Sequence, residues 1–164
     1  MVILGGVVSA DDPGWEPDEH VRFARYRRAF DKVSAEDAAA LVSRVLTDPD
    51  VGMANSAVCE YLDRRAAELF TDPGYPSWCL EMTGPVAVDD FSARRLREWT
   101  LLRAMALDEP WDAETLLAAS NWLQLRCAEE SSATTALATL AEGGRTRRIR
   151  NIARSRLAAP GRRR

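Results

Sequence analysis

Residues 61–68 read Tyr61-Leu62-Asp63-Arg64-Arg65-Ala66-Ala67-Glu68, and residues 122–129 read Trp122-Leu123-Gln124-Leu125-Arg126-Cys127-Ala128-Glu129. The two octets align without a gap, and the alignment extends back over residues 30–68 and 91–129. Phe30 meets Phe91, Leu41 meets Leu102, Leu46 meets Leu107, Pro49 meets Pro110 and Ala57 meets Ala118. The matches fall on apolar positions at helical spacing and on the proline between them. Each copy therefore reads as helix, tight Asp/Pro turn, helix. Such paired helices bury their apolar faces on one another and on the next pair.

Outward from the repeat, helix signals fill most of the chain. Pro17, Asp18 and Glu19 suit a first helical turn, because proline lacks only an N–H that would be orphaned there and carboxylates favour the positive helix end. Phe23, Tyr26, Phe30 and Val33 follow on one face. Ser34 and Asp37 resemble a capping box that starts a second helix through Leu41, Val45 and Leu46, and Asp48-Pro49-Asp50 stops it. The next helix is expected from about Met53 to Phe70. A helix near Asp90 carries Leu96, Trp99, Leu102 and Ala106, and one after Asp112 carries Leu116, Ser120, Leu123 and Cys127. A short helix with Leu137 and Leu140 ends at Gly143-Gly144, and the last carries Ile149, Ile152, Ala153 and Leu157. The expectation is an all-α protein of about six to seven helices in antiparallel pairs, forming one domain over 1–164. Its parts are an N-terminal segment 1–16 (a short strand or an ordered tail), the repeats 30–68 and 91–129, a C-terminal helix pair 131–158 and a basic tail 159–164.

The pattern resembles HEAT-like α-helical repeats over about two thirds of the chain, from Phe30 on. The stretch Leu140-Ala-Glu-Gly-Gly-Arg-Thr-Arg-Arg-Ile-Arg-Asn-Ile-Ala-Arg154 adds to the likeness, with a short polar turn followed by arginines and an aliphatic helix face. The offset between copies is 61 residues, longer than the HEAT unit of about 40. A short α-solenoid and a compact helical bundle both remain open. HEAT-like proteins mostly bind other macromolecules, so the resemblance implies a non-enzymatic protein-binding module: an adaptor, an inhibitor or an immunity-type protein.

Composition narrows the setting. The chain has 164 residues, a net charge of −3 and three cysteines. Cys59, Cys79 and Cys127 make no C-x-x-C and no disulfide framework, which suits a reducing cytoplasm. Met1 to Val8 is apolar but short and has no basic start, so no signal peptide is read there. No run reaches the roughly 18 apolar residues of a membrane span. Arginine far outnumbers lysine and alanine is abundant, which suggests a GC-rich bacterial genome. There is no phosphate-binding loop, no dinucleotide fingerprint and no G-x-S-x-G. No cofactor, metal site or catalytic set is expected.

Three places are candidates for function. The segment Thr71–Asp89 separates the copies and holds Tyr75 and Trp78; with Trp111, on the turn of the second copy, these aromatics are candidate protein-binding anchors. The competing reading is a short helix, Ser77–Met82, that plugs the core. Second, Arg145, Arg147, Arg148, Arg150 and Arg154 share the last helix, and no acidic residue follows Glu142. They would suit nucleic-acid phosphates, or else form a solvated face or lie on acidic surface of this chain or a second copy. Third, His20 stands near Asp11, Asp12, Glu16, Asp18 and Glu19, the one place an enzyme on a helical scaffold could find a general base. Carboxylates at a helix start already have a structural reason. Cys59 and Cys127 align with Ser120 and Ala66, which marks them as small packing residues.

Overall fold

The computed structural model describes residues 16–159, and among them all regular structure is helical. The helices are α1 (Glu19–Lys32), α2 (Ala35–Val45), α3 (Val51–Glu68), α4 (Tyr75–Val86), α5 (Asp90–Ala106), α6 (Ala113–Ala118), α7 (Asn121–Glu130), α8 (Thr134–Gly143) and α9 (Arg147–Ala158). The all-α class holds. The expected N-terminal strand or tail, and all but the first residue of the basic tail, lie outside the described residues.

Most helix starts are written in single side chains. Asp18, Ser34, Asp50, Asp112, Ser120 and Thr146 each accept a backbone N–H of the following turn, which satisfies a donor the helix itself leaves orphaned. At α2 the Ser34 Oγ accepts from the Asp37 N–H at 3.2 Å. After α8 the chain turns out of the helix at Gly144, where no side chain fits. Gly144 has a negative φ, but a Cβ there would come within 2.5 Å of the Leu140 carbonyl oxygen and 2.8 Å of Ile149.

The helices outnumber the expected six to seven for two local reasons. The segment Thr71–Asp89 between the two aligned stretches forms α4, twelve residues long. The helix expected after Asp112 is broken at Ser120. The Ser120 backbone is extended, its N–H goes to Glu98 Oε1 at 2.8 Å, and its Oγ caps Leu123. The carbonyls freed at the end of α6 are taken by Gln124, whose Nε2 donates to Leu116 O at 3.0 Å and Leu117 O at 2.8 Å. The same amide accepts the Arg145 N–H at 2.7 Å, and the side chain is fully buried. The two aligned segments therefore break at different places. The first breaks at Val33-Ser34 and runs on unbroken through Cys59; the second runs on through Arg94-Arg95 and breaks at Ser120.

The chain divides into two units, one ending at Leu96 and the other beginning at Arg97. In the first, α1 packs on α3, and α2 packs on α3 and α4. Its core includes Phe30, Val42, Val45, Val58, Leu62, Tyr75, Met82 and Val86. Phe30 stacks on Tyr61 with ring centroids 4.6 Å apart. A leucine as fully enclosed as Leu62 contributes about 2–3 kcal/mol of transfer free energy. In the second unit α9 packs on α7 and α8, and α6 on α8, around Leu116, Leu123, Leu140 and Ile149. Trp99 meets Trp122 edge to face at 5.7 Å, and the Arg126 guanidinium lies 4.7 Å over the Trp99 ring.

Candidate functional site

Tyr75 and Trp78 sit on the first turn of α4, and both point inward. Tyr75 is 2 % exposed and Trp78 is 7 % exposed. Their rings meet edge to face at 5.5 Å. The Trp78 Nε1–H is buried without a partner, so packing rather than hydrogen bonding holds this ring. Trp111 is half-buried, just before α6 in the second unit. Tyr75 and Trp78 thus anchor α4 to the core of the first unit, and Trp111 belongs to the other.

Anchoring one face of α4 turns the other outward. Tyr75, Trp78, Met82 and Val86 recur at spacings of three and four and are buried. Between them Leu80 is 76 % exposed, and Val88, just past the helix, is 79 % exposed. Gly84 lies between these two, and a Cβ there would touch nothing within 4 Å. Leu80 and Gly84 stand four residues apart on the outward face of α4, and Val88 is exposed on the turn that follows the helix. Val51, at the start of α3, is 61 % exposed. One turn later Asn55 donates from Nδ2 to Asp89 Oδ1 at 3.0 Å, which ties the start of α3 to the turn beside Val88. Phe91 is 42 % exposed under the Arg94 and Arg95 guanidinium groups. The sequence held a signal for this surface. Glu81 is the one charged residue of α4, and a helix so poor in charge leaves apolar side chains on its outer face unless it is buried all round.

Arg145, expected on the last helix, precedes its Thr146 cap; the arginines in and just before α9 divide into two sets. Arg148 lies 3.4 Å from Glu129, Arg150 donates to Gly144 O at 2.6 Å and Arg156 to Ala128 O at 3.1 Å. Arg145, Arg147 and Arg154 are exposed, and among the described residues their guanidinium groups meet no carboxylate or carbonyl.

A cleft of about 490 Å³ opens beside the α1–α2 turn, lined by Phe30, Ser34, Tyr61, Arg64, Arg65 and Glu68. Its cations are already matched: Arg64 pairs with Asp31 and Arg65 with Glu68.

The other candidates fall into structural roles. The His20 side chain is largely exposed, 3.7 Å from Glu19. Asp18 caps α1, and Glu16 accepts the Asp18 N–H and lies 3.7 Å from Arg25. Asp11 and Asp12 lie outside the described residues. Cys59 and Cys127 are buried, and burial pushes both thiols up to about 11. Cys79 is half-buried. Among the described residues no three His, Cys, Asp or Glu side chains gather as a metal site would need. No helix there is long and apolar enough to cross a membrane.

The sequence gives no warning of one buried polar cluster. Asp48, read as part of a helix stop, is buried and receives Arg22 Nε at 3.1 Å, Arg22 Nη2 at 3.4 Å, the Tyr26 hydroxyl at 2.8 Å and the Asp50 N–H at 2.9 Å. Arg22 also donates to the carbonyls of Glu16 and Pro17. Burial, with the Asp48 carboxylate beside it, raises the Tyr26 phenol to about 12. The cluster fastens the start of α1 to the α2–α3 turn.

The chain matches no family model, no curated protein and no solved structure.

Proposed function

We propose that this protein is a binding module that docks another protein, as an adaptor or inhibitor does, through the outward face running from Leu80 to Val88. The observation that carries the reading is the pair of large apolar side chains, 76 % and 79 % exposed, held outward by the buried anchors Tyr75 and Trp78. Water contact at each of these side chains is unfavourable, by about 25 cal/mol per Å² of apolar area, and a partner that covered both would remove that cost. The anchors named from sequence serve this surface from beneath, since they fix α4 rather than touch a partner.

The partner's chemistry follows from the surroundings. Glu81 and Asp90 flank the ridge, and the stretch up to Leu96 holds more carboxylates than basic side chains. A complementary surface has an apolar centre and a lysine or arginine rim, the arrangement that favours both affinity and fast association. HEAT-like character is part of the same reading, as is the cytoplasm as its setting.

The test places a photo-crosslinking residue at position 80 or 88 of the full chain in its source cells, with position 139 on α8 as control. The expected result is one basic protein crosslinked from 80 and 88 and absent from 139. Equal yields from all three positions would contradict the reading.

A further inference from the structure

We infer that the outward face of α9 contacts the phosphate backbone of double-stranded nucleic acid. Ile149 and Ala153 are buried and define the inward side of the helix. Arg147, Asn151, Arg154 and Ala158 recur at steps of four, three and four on the opposite side, and all are exposed. Arg145 stands just before the Thr146 cap and is exposed as well. Elsewhere in this chain Arg27, Arg64, Arg65, Arg103 and Arg126 each pair with a carboxylate, and the exposed Arg28, Arg44 and Arg97, which have no carboxylate pair among the described residues, are scattered one each over α1, α2 and α5. The guanidinium groups of Arg145, Arg147 and Arg154 have no partner among the described residues, and no acidic residue lies between Gly143 and Arg164.

These charges do little for the fold. Arg147 lies in the first turn of α9, where positive charge opposes the helix macrodipole. Arg147 and Arg154 stand two turns apart, about 10 Å along the axis, with no carboxylate between them. A polyanion neutralises all three at once and releases its own counterions. Guanidinium also suits phosphate geometry better than ammonium does.

The face selects among polyanions. Single strands are held largely by bases stacking on aromatic rings, and residues 145–158 contain no aromatic side chain. Insertion into a lipid surface needs a row of large apolar side chains beside the basic ones, and among the exposed residues of α9 Leu157, at 38 %, is the single large apolar one. A duplex backbone needs only the spaced charges, and binding through it is independent of sequence.

The experiment titrates the full chain into a fluorescent mixed-sequence DNA duplex at several salt concentrations. With three phosphates engaged, the logarithm of the binding constant falls against the logarithm of salt with a slope of about −3. Arg147→Ala with Arg154→Ala reduces that slope by about two and weakens binding at least tenfold at low salt. Arg27→Ala with Arg65→Ala leaves it unchanged. Circular dichroism verifies that both variants fold. Absence of binding at low salt overturns the proposal, as does a Arg147/Arg154 variant that binds like wild type. Tighter binding to anionic vesicles than to duplex overturns it too.

Discussion

The Arg22 guanidinium lies against the Asp48 carboxylate, Nε to Oδ2 at 3.1 Å, with 9 % of the arginine side chain and none of the aspartate side chain exposed. Taking two charges out of water is costly, and the cost is offset only when geometry and further hydrogen bonds are good. Here the carboxylate also receives Tyr26 and Asp50, and the guanidinium also reaches two carbonyls. Asp48→Ala strands a buried cation and is expected to lower stability by about 3–5 kcal/mol. Arg22→Met combined with Asp48→Leu removes both charges and is expected to cost less than Asp48→Ala alone. Urea unfolding of the three proteins measures this; equal losses would show that the charge pair is not what matters there.

Tyr26 reports on the same cluster. Its phenol is raised from 10.0 to about 12, by burial first and then by the Asp48 hydrogen bond. A folded-state value above the unfolded one means that the folded chain holds the proton more tightly. This contribution to stability is full below pH 10 and is lost as pH rises through about 12. Tyrosinate absorbance after a rapid pH jump should show an ionisation near pH 12 that is missing in Tyr26→Phe.

Gln124 closes the break between α6 and α7 and at the same time holds the Arg145 N–H. Gln124→Leu keeps similar volume and leaves those backbone groups without the amide. The expected cost is roughly 2–4 kcal/mol, since each buried polar group left unpaired costs about 1–3 kcal/mol. Hydrogen exchange should show lost protection at Arg145 together with the lowered stability. Retained protection at Arg145 would mean that another acceptor replaces the amide.

The thiols should separate kinetically. Near pH 8 a thiol that ionises at about 11 is thiolate in about one molecule per thousand. Cys59 and Cys127 are held at such values by burial, while Cys79 is half-buried. A thiol reagent should modify Cys79 first, and Cys79→Ser should abolish the fast phase.

What the sequence discloses is local. Ser34, Asp112 and Gly143-Gly144 mark helix ends that the structure has, because caps and steric stops act within a turn. The expected core faces at Leu41, Leu62, Leu123 and Leu140 are buried for the same reason of simple periodicity. The break at Ser120 is not local. Its N–H acceptor is Glu98, 22 residues upstream, and the Leu116 and Leu117 carbonyls are taken by Gln124, so aligned positions 59 and 120 differ partly through a partner far away in sequence. Asp48 hides likewise, since its partner Arg22 lies 26 residues upstream. The inward turn of Trp78 was equally open: an aromatic in a segment between helices fits a core plug or a docking anchor, and only the packing of α4 on α2 decides.

The central claim concerns the ridge from Leu80 to Val88. Its most direct measurement is the affinity of the partner crosslinked at position 80, purified, for wild type and for Leu80→Asp with Val88→Asp. Both positions are exposed, so the variant should keep the wild-type free energy of unfolding within about 0.5 kcal/mol. The account predicts affinity reduced at least a hundredfold, about 2.7 kcal/mol across two apolar contacts. A folded variant that binds as tightly as wild type would contradict it.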